Sequence, residues 1–465
     1  MKLWNKWLVL VNQLDGAFSR RKTFFWFVII LIGFTIKFDS MGVTSLARGV
    51  GLLPSCYTSM LNFFVSTAVN PETLKLLWVQ IVFKYFRGII MINGRCIIAG
   101  DGIKIGKEGK KMPGVKWLHQ ESESNSKAEY IMGHSIQALC VLVKKFDTCF
   151  AVPLAGQIHE GIRFNYKDCR TLLDKMVELI ICLAIPQACY LVLDKYYSSG
   201  RFIKQLVRNN IHIVTMMKTN AVAYKPILTK EKKQRGRPKK YGEKIRLFSL
   251  FKTDLQFESV ELSGVTIEFY RIVLFWKPLG AQAQFVFTRH PTRGNAIVMS
   301  TDLSADSSSL IMIYGLRFKI EIFFKQAVHQ IGAFLYRFWL KIINSKKRGS
   351  GDQCLQFAPK KFKDRVIKKI RSYNLFIQVA FIAHGLLQYL SIHYHKTVWR
   401  NFNTWIRTIR DNTLPSEMVV VHAMKETYFE FHEDDQNDSI FMKFMRKKIN
   451  RRRFKYSVPT SARAA

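Results

Sequence analysis

Between Tyr314 and Lys325 a phenol, a guanidinium, a carboxylate and an ammonium recur at helical spacing. Read at 100° per residue, Leu316, Ile320, Phe323, Phe324, Ala327 and Ile331 form one apolar stripe, as a core-facing helix requires. Tyr314, Arg317, Glu321 and Lys325 lie beside that stripe, within an arc of about 80°. Arg317–Glu321 and Glu321–Lys325 are both i,i+4 pairs, which on a solvated face contribute about 0.3–0.5 kcal/mol each. Their position against the core asks for more, because an acid held there needs a partner or a job. Two other acids share that character. Asp101 interrupts the apolar face that Ile97, Ala99, Ile103 and Ile105 make along the alternating stretch RCIIAGDGIKIG (95–106). Asp194 ends YLVLD, an apolar run typical of a buried parallel strand with the acid at its carboxyl end.

The elements that would position these acids can be read in order. After the Asp101 strand come two more strands, His134 to Lys144 and Cys149 to Ile158, joined by a short polar turn. Next are an amphipathic helix from Asp168 to Ile185, the Asp194 strand, a helix from Arg201 to Asn209, and a fifth strand from His212 to Lys218. Three meandering strands, then helix, strand, helix, strand, is the order of a ribonuclease-H-like sheet. The expected fold class is therefore α/β: a ribonuclease-H-like mixed sheet flanked by helices. Its first and fourth strands are neighbours, so Asp101 and Asp194 would stand side by side, with the Glu321 helix crossing the same edge. Three convergent carboxylates repel unless a cation joins them, and Mg²⁺ or Mn²⁺ suits an all-oxygen site. A pair of such ions keeps positions open for water and phosphate oxygens, as in-line phosphodiester cleavage and strand transfer require. Each acid taken singly is better explained by a cap, a turn or an ion pair; the weight comes from the three occurring in this order on this topology.

About ninety residues separate the fifth strand from the Glu321 helix, more than an ordinary connection. Tyr241 to Phe287 holds IRLFSLF, VTIEFYRIVLF and AQFVFT, so a β-rich insertion is expected over about 219–290. It opens on KEKKQRGRPKK (230–240), where Arg235-Gly236-Arg237-Pro238 resembles an AT-hook core that reads narrow minor grooves. The alternative is a solvated loop in which Arg235, Arg237 and Lys239 touch phosphates without reading sequence.

Composition bounds the partner. Lys and Arg number 72 against 33 Asp and Glu, a net charge of +39, while 48% of the 465 residues are hydrophobic. The chain is thus no disordered basic tail, and its partner should be a polyanion. The eight cysteines are scattered without CxxC or zinc-type spacing, and several sit in apolar runs, which fits buried thiols in a reducing compartment. His393 and His395 lack a third ligand nearby. Phe24 to Ile36 is apolar throughout but shorter than the roughly 20 residues of a spanning helix. It reads as a core helix, with an embedded anchor as the alternative. No small-residue cleavage site follows it, which argues against a signal peptide. Gly42 to Phe63 has the outline of a helix-turn-helix, or of a plain packing hairpin. Beyond Lys341, a basic Gly/Ser linker leads to a helix from Asp364 to Tyr394, read as an appendage with a basic, phosphate-binding tail. The regions expected are 1–88 (helical, DNA-binding), 89–340 (catalytic core with the insertion) and 341–465 (helical).

On these residues the chain resembles the DDE transposases of bacterial insertion sequences, in the branch with a Tyr-x2-Arg-x3-Glu-x6-Lys signature. Tyr314-x2-Arg317-x3-Glu321 matches in residue and spacing, and IIAGDGIKIGKEGKKMPG (97–114), LVLDKYYSSG (191–200) and STDLS (300–304) have the look of such enzymes. The resemblance spans roughly residues 40 to 345. It implies that Asp101, Asp194 and Glu321 ligate two Mg²⁺ or Mn²⁺ ions while Tyr314 and Arg317 hold DNA near the cleaved phosphate. The signature lysine falls at Val328, so either Lys325, a turn earlier, grips that phosphate or this branch dispenses with it. The partners implied are double-stranded DNA at element ends and target, and a second copy of the chain assembled on DNA. No membrane is implied, and the setting is the bacterial cytoplasm at the nucleoid. The alternatives are a catalytically silent DNA-binding relative, against which the three intact acids argue, and a membrane-associated basic protein.

Overall fold

The computed structural model describes residues 2–37, 42–120, 128–227, 240–262, 264–345, 347–405, 408, 410, 412–433 and 439–450. Five strands frame the site: β1 (Arg95–Gly106), β2 (Tyr130–Lys145), β3 (Thr148–Ile158), β4 (Cys189–Leu193) and β5 (Ile211–Met216). β1 is central. It pairs antiparallel with β2, which pairs antiparallel with β3, and on its other side it runs parallel to β4, which runs parallel to β5. The order 3-2-1-4-5 with one reversed strand is the ribonuclease-H-like arrangement expected from the sequence. Continuous apolar stretches place β4 and the first half of β1 inside: every residue of β4 is buried, as are Cys96 to Gly100 of β1.

The insertion continues this sheet. Val265–Trp276 (β6), Ala281–His290 (β7) and Gly294–Ser300 (β8) form an antiparallel meander, and β8 pairs with β5 through Val298 and Met216. The whole sheet reaches thirteen strands. One segment expected as strand differs. IRLFSLF yields only the short strand Lys244–Arg246, then a 3₁₀ helix Leu247–Lys252. Its apolar residues repeat at three as well as at two, and Phe248 and Phe251 join an aromatic cluster with Phe257 and Phe287.

The helices explain the two long apolar runs. Phe25 to Ile36 are all buried within the helix Arg21–Ile36, and the helical pair expected over 42–63 is Gly42–Val50 and Cys56–Val65. The long helix Lys360–Arg400 is no appendage. It is the one helix among the described residues long and apolar enough to cross a membrane, and that apolar window is wholly buried. What buries it is the open edge of the sheet. β3 pairs only with β2, so its outer carbonyls and amides need partners. Gln378 Nε2 donates to the Leu154 carbonyl (3.0 Å), Gln388 Nε2 to the Ala151 carbonyl (3.3 Å), and the Ile158 amide donates to Asn374 Oδ1 (2.9 Å). Pro153, which has no amide to pair, sits where an edge strand tolerates it, and its carbonyl accepts from Trp78 Nε1 (2.7 Å).

The stretch 311–330 is not one helix. Ser307–Leu316 ends, Lys319–Gln326 begins, and a π turn Ala327–Ile331 follows. Between the two helices the bonds tighten to i→i−3: Arg317 N–H to Tyr314 O, Ile320 to Arg317 O, and Glu321 to Phe318 O, each 3.1 Å. The expected stripe is otherwise present, with Ile320, Phe323, Phe324, Ala327 and Ile331 all buried.

The long helix braces the Glu321 helix through two aromatic contacts, His384 stacking on Phe323 at 5.3 Å being the second. Phe381 meets Phe323 edge to face with ring centroids 4.9 Å apart, and a Cβ on Gly156 would come within 2.5 Å of the Phe381 ring. Gly156→Ala should therefore cost about 1–3 kcal/mol, the range for overpacking. Urea unfolding checks this: a lowered midpoint for Gly156→Ala is expected, and an unchanged one for Gly351→Ala, where nothing lies within 4 Å.

Candidate active site

Parallel pairing sets the first two acids. Ala99 lies opposite Val192, so two residues further along β1 and β4 Asp101 stands opposite Asp194. Neighbouring strands are about 4.8 Å apart, and paired positions share a face. Asp194 is the first residue beyond β4, and its carbonyl accepts from Thr215 Oγ1 at 3.0 Å, which pins the turn into Lys195–Tyr197. The third acid, Glu321, comes from the helix Lys319–Gln326, packed over β1 by its apolar stripe.

Arg317 ties the group together. Its Nη1 donates to Asp101 Oδ2 at 3.2 Å and its Nη2 to Glu321 Oε1 at 2.5 Å. The other Asp101 oxygen accepts from the Gly102 amide at 2.7 Å. The three side chains are unequally wet: Arg317 is 17% exposed, Asp101 22% and Glu321 43%. Burial pushes the Asp101 carboxyl up from 3.8 to about 6; the Gly102 amide and Arg317 oppose the rise, and the charges of Asp194 and Glu321 add to it. Tyr314 stands in the same field. Burial pushes its hydroxyl up to about 12, Arg317 opposes that rise, and Asp194 and Asp101 reinforce it.

The structure thus brings Tyr314, Arg317, Asp101, Asp194 and Glu321 to one edge of the sheet. Lys325 is different. It is exposed and forms no ion pair among the described residues, so the Glu321–Lys325 pair expected from spacing is not made and Glu321 pairs with Arg317 alone. Val328 is half-buried and shares a cavity with another cation, Lys107. Arg235, Arg237 and Lys239 lie outside the described residues. Tyr197 is a neighbour that sequence reasoning missed. Its buried hydroxyl is 3.8 Å from where a Cβ on Gly102 would stand, and burial, then the charge on Asp101, push its ionisation far up. The signal was its place three residues after Asp194.

Among the described residues no three His, Cys, Asp or Glu side chains are gathered tightly enough to hold a metal ion as they stand. The guanidinium of Arg317 lies between Asp101 and Glu321 and supplies the positive charge there. Chemically the group offers oxygen donors for a hard cation, and a planar fork of N–H donors that matches a phosphate.

A family model described as DDE superfamily endonuclease matches residues 13–261, more than half of the chain; that span holds Asp101 and Asp194 and stops before Glu321. No curated protein matches the chain. Among solved structures, the cryo-EM structure of a piggyBac transposase synaptic complex with hairpin DNA is similar at 10% identity. That match covers 92% of this chain and 75% of that one with a TM-score of 0.36.

The raised Asp101 value carries a sign that can be measured. Because folding raises this pKa, the stability the carboxyl contributes is full below about pH 4 and is lost as pH climbs through about 6. Asp101→Asn removes that loss. Its melting temperature should gain on the wild type between pH 4 and pH 7, and a difference that stays constant with pH would contradict the assignment.

Proposed function

This chain belongs to the DDE superfamily endonucleases, and on that footing we propose that it is a transposase. It hydrolyses phosphodiesters at the ends of a mobile DNA element, such as a bacterial insertion sequence, and joins the freed 3′-hydroxyl ends to target DNA. The observation that supports this reading best is that Asp101, midway along β1, stands beside Asp194 just past β4 and is joined to Glu321 through one shared cation, Arg317.

The donor set fits Mg²⁺ or Mn²⁺. Its members are all carboxylate oxygens, and the one buried deepest is already burdened by the charges of the other two. Asp101, Asp194 and Glu321 would hold two such ions. When bound, they supply positive charge to the phosphate oxygens and activate the attacking hydroxyl. The protein's own side chains do the rest. Arg317 gives up its place between two carboxylates and offers its two N–H groups to the DNA phosphate. Tyr314, with its proton held fast, donates its hydroxyl to the same backbone. Lys325, exposed one turn beyond Glu321, is free to reach a neighbouring phosphate, and Arg235, Arg237 and Lys239 extend the contact along the duplex. Cutting both ends of an element calls for two copies of the chain assembled on DNA.

Glu321→Gln should abolish nicking of an element end while leaving binding in a gel shift within about threefold; undiminished nicking would remove Glu321 from the chemistry. Metal uptake provides a second check. At pH 7.5, Mn²⁺ at a hundred times its dissociation constant should stabilise the wild type by about 2.7 kcal/mol. At pH 5 the Asp101 carboxyl carries its proton and the gain should shrink. Equal gains at both pH values, or in Asp101→Asn as in the wild type, would count against this ligand set.

A further inference from the structure

Past the π turn the chain doubles back at Gly332, in the left-handed region at φ 66°, and runs beside the loop that leaves β1. Hydrogen bonds stitch the two segments together: Leu340 N–H to the Lys111 carbonyl (3.0 Å), Lys111 Nζ to the Lys341 carbonyl (3.2 Å), and Lys107 Nζ to the Phe334 and Tyr336 carbonyls. Lys107 also lies 3.9 Å from the centroid of the Tyr336 ring, so this side chain braces the segment from within. Between the segments is a cavity of about 410 Å³ lined by Lys107, Glu108, Met112, Val328, Arg337 and Trp339.

Trp339 is what sets this place apart. It is 63% exposed, whereas Trp4, Trp7, Trp26, Trp78, Trp276 and Trp399 are buried and Trp117 is half-buried; Trp405, at 93%, is exposed too, but it lies far along the chain from the three carboxylates. Its indole edge rests on the loop, where a Cβ on Gly109 would come within 3.1 Å of Nε1. Ile342 beside it is also exposed. Around this apolar surface stand the exposed cations Lys110, Lys111, Arg337 and Lys341, against one acid, Glu108. An uncovered indole ringed by cations suits a ligand that is both flat and anionic, and nucleotides in a single strand combine the two. An acidic peptide would answer the charge but leave the ring without a stacking partner.

The position argues the same way. Ile105, which also lines the cavity, lies four residues beyond Asp101 on the same strand, about 13 Å at 3.3 Å per residue. Val328 lies seven residues beyond Glu321, about 10 Å along a helical path. A strand leaving the three carboxylates in this direction reaches Trp339 within a few nucleotides.

We propose that Trp339 and its flanking cations form a single-strand subsite, a base lying on the indole face and its phosphate taken by Arg337 and Lys111. This rests on the transposase reading for its biological use, but its binding chemistry can be tested alone. Anisotropy with labelled (dT)12 and with a 12-base-pair duplex, both with divalent ions chelated, is measured on the full chain. Trp339→Ala should weaken (dT)12 binding about tenfold or more and leave duplex binding within about twofold, and Trp339→Phe should restore most of the loss. Arg337→Gln should lower the log–log salt slope on (dT)12 by about 0.7. Wild-type affinity of Trp339→Ala for the single strand, or equal losses on both probes, overturns the proposal. So does a Trp339→Phe variant as weak as Trp339→Ala. A chain that binds (dT)12 through Trp339 yet never nicks an element end in Mg²⁺ overturns the transposase reading and leaves this subsite standing. A chain that nicks normally while Trp339→Ala binds like the wild type does the reverse.

Discussion

Carboxylates do not gather at one sheet edge unless something positive holds them there. Two unit charges 4 Å apart interact by about 4 kcal/mol at an effective dielectric constant of 20, enough to push one acid towards its protonated form. The Asp101 carboxyl is raised to about 6, by burial first and then by the charges of Asp194 and Glu321. Arg317 answers it by bonding Asp101 on one side and Glu321 on the other. The arginine therefore couples the central strand of the sheet to a helix more than two hundred residues later in the chain.

Holding that coupling in register falls to the surrounding scaffold. β1 and β4 fix Asp101 and Asp194 by backbone pairing, and the burial of β4 and of Cys96 to Gly100 of β1 holds the register. The Glu321 helix is fixed at two points. Phe323 packs on Phe381 of the long helix. Further along, Gln326 Nε2 donates to the buried Glu417 at 2.7 Å, which also accepts from Gln388 Nε2 at 3.0 Å and faces His384 at 3.4 Å. Burial alone would raise the Glu417 carboxyl, but the His384 contact and then the Gln388 hydrogen bond outweigh it and hold the value below the ordinary one. A buried acid with this many donors is the kind of network that specifies one geometry.

Much of this could be read in the sequence because it rests on local periodicity. The alternating face of 95–106 gave β1 its bounds, and the apolar run ending in an acid gave β4 and Asp194. The apolar stripe 316–331 gave the buried side of the Glu321 helix. What escaped depends on tertiary context. Spacing at 3.6 residues per turn cannot foresee the i→i−3 tightening at Arg317, and so it offered Lys325 as a second partner for Glu321 that the structure does not use. The 360–400 helix looked detachable because its reason for being apolar, the uncovered edge of β3, lies two hundred residues away. Tyr197 gave no periodic signal; its place three residues after Asp194 and the close approach of its hydroxyl to Gly102 are what draw attention to it.

The account stands on Asp101, Asp194 and Glu321 closing together on divalent cations beside β1 and β4. Its most direct test is a crystal structure grown with Mn²⁺, with anomalous scattering used to locate the ion. The account requires an anomalous peak in contact with Asp101, Asp194 and Glu321, with the Arg317 guanidinium displaced from between Asp101 and Glu321. Saturating Mn²⁺ with no peak at these residues, and Arg317 still bonded to both acids, would contradict it.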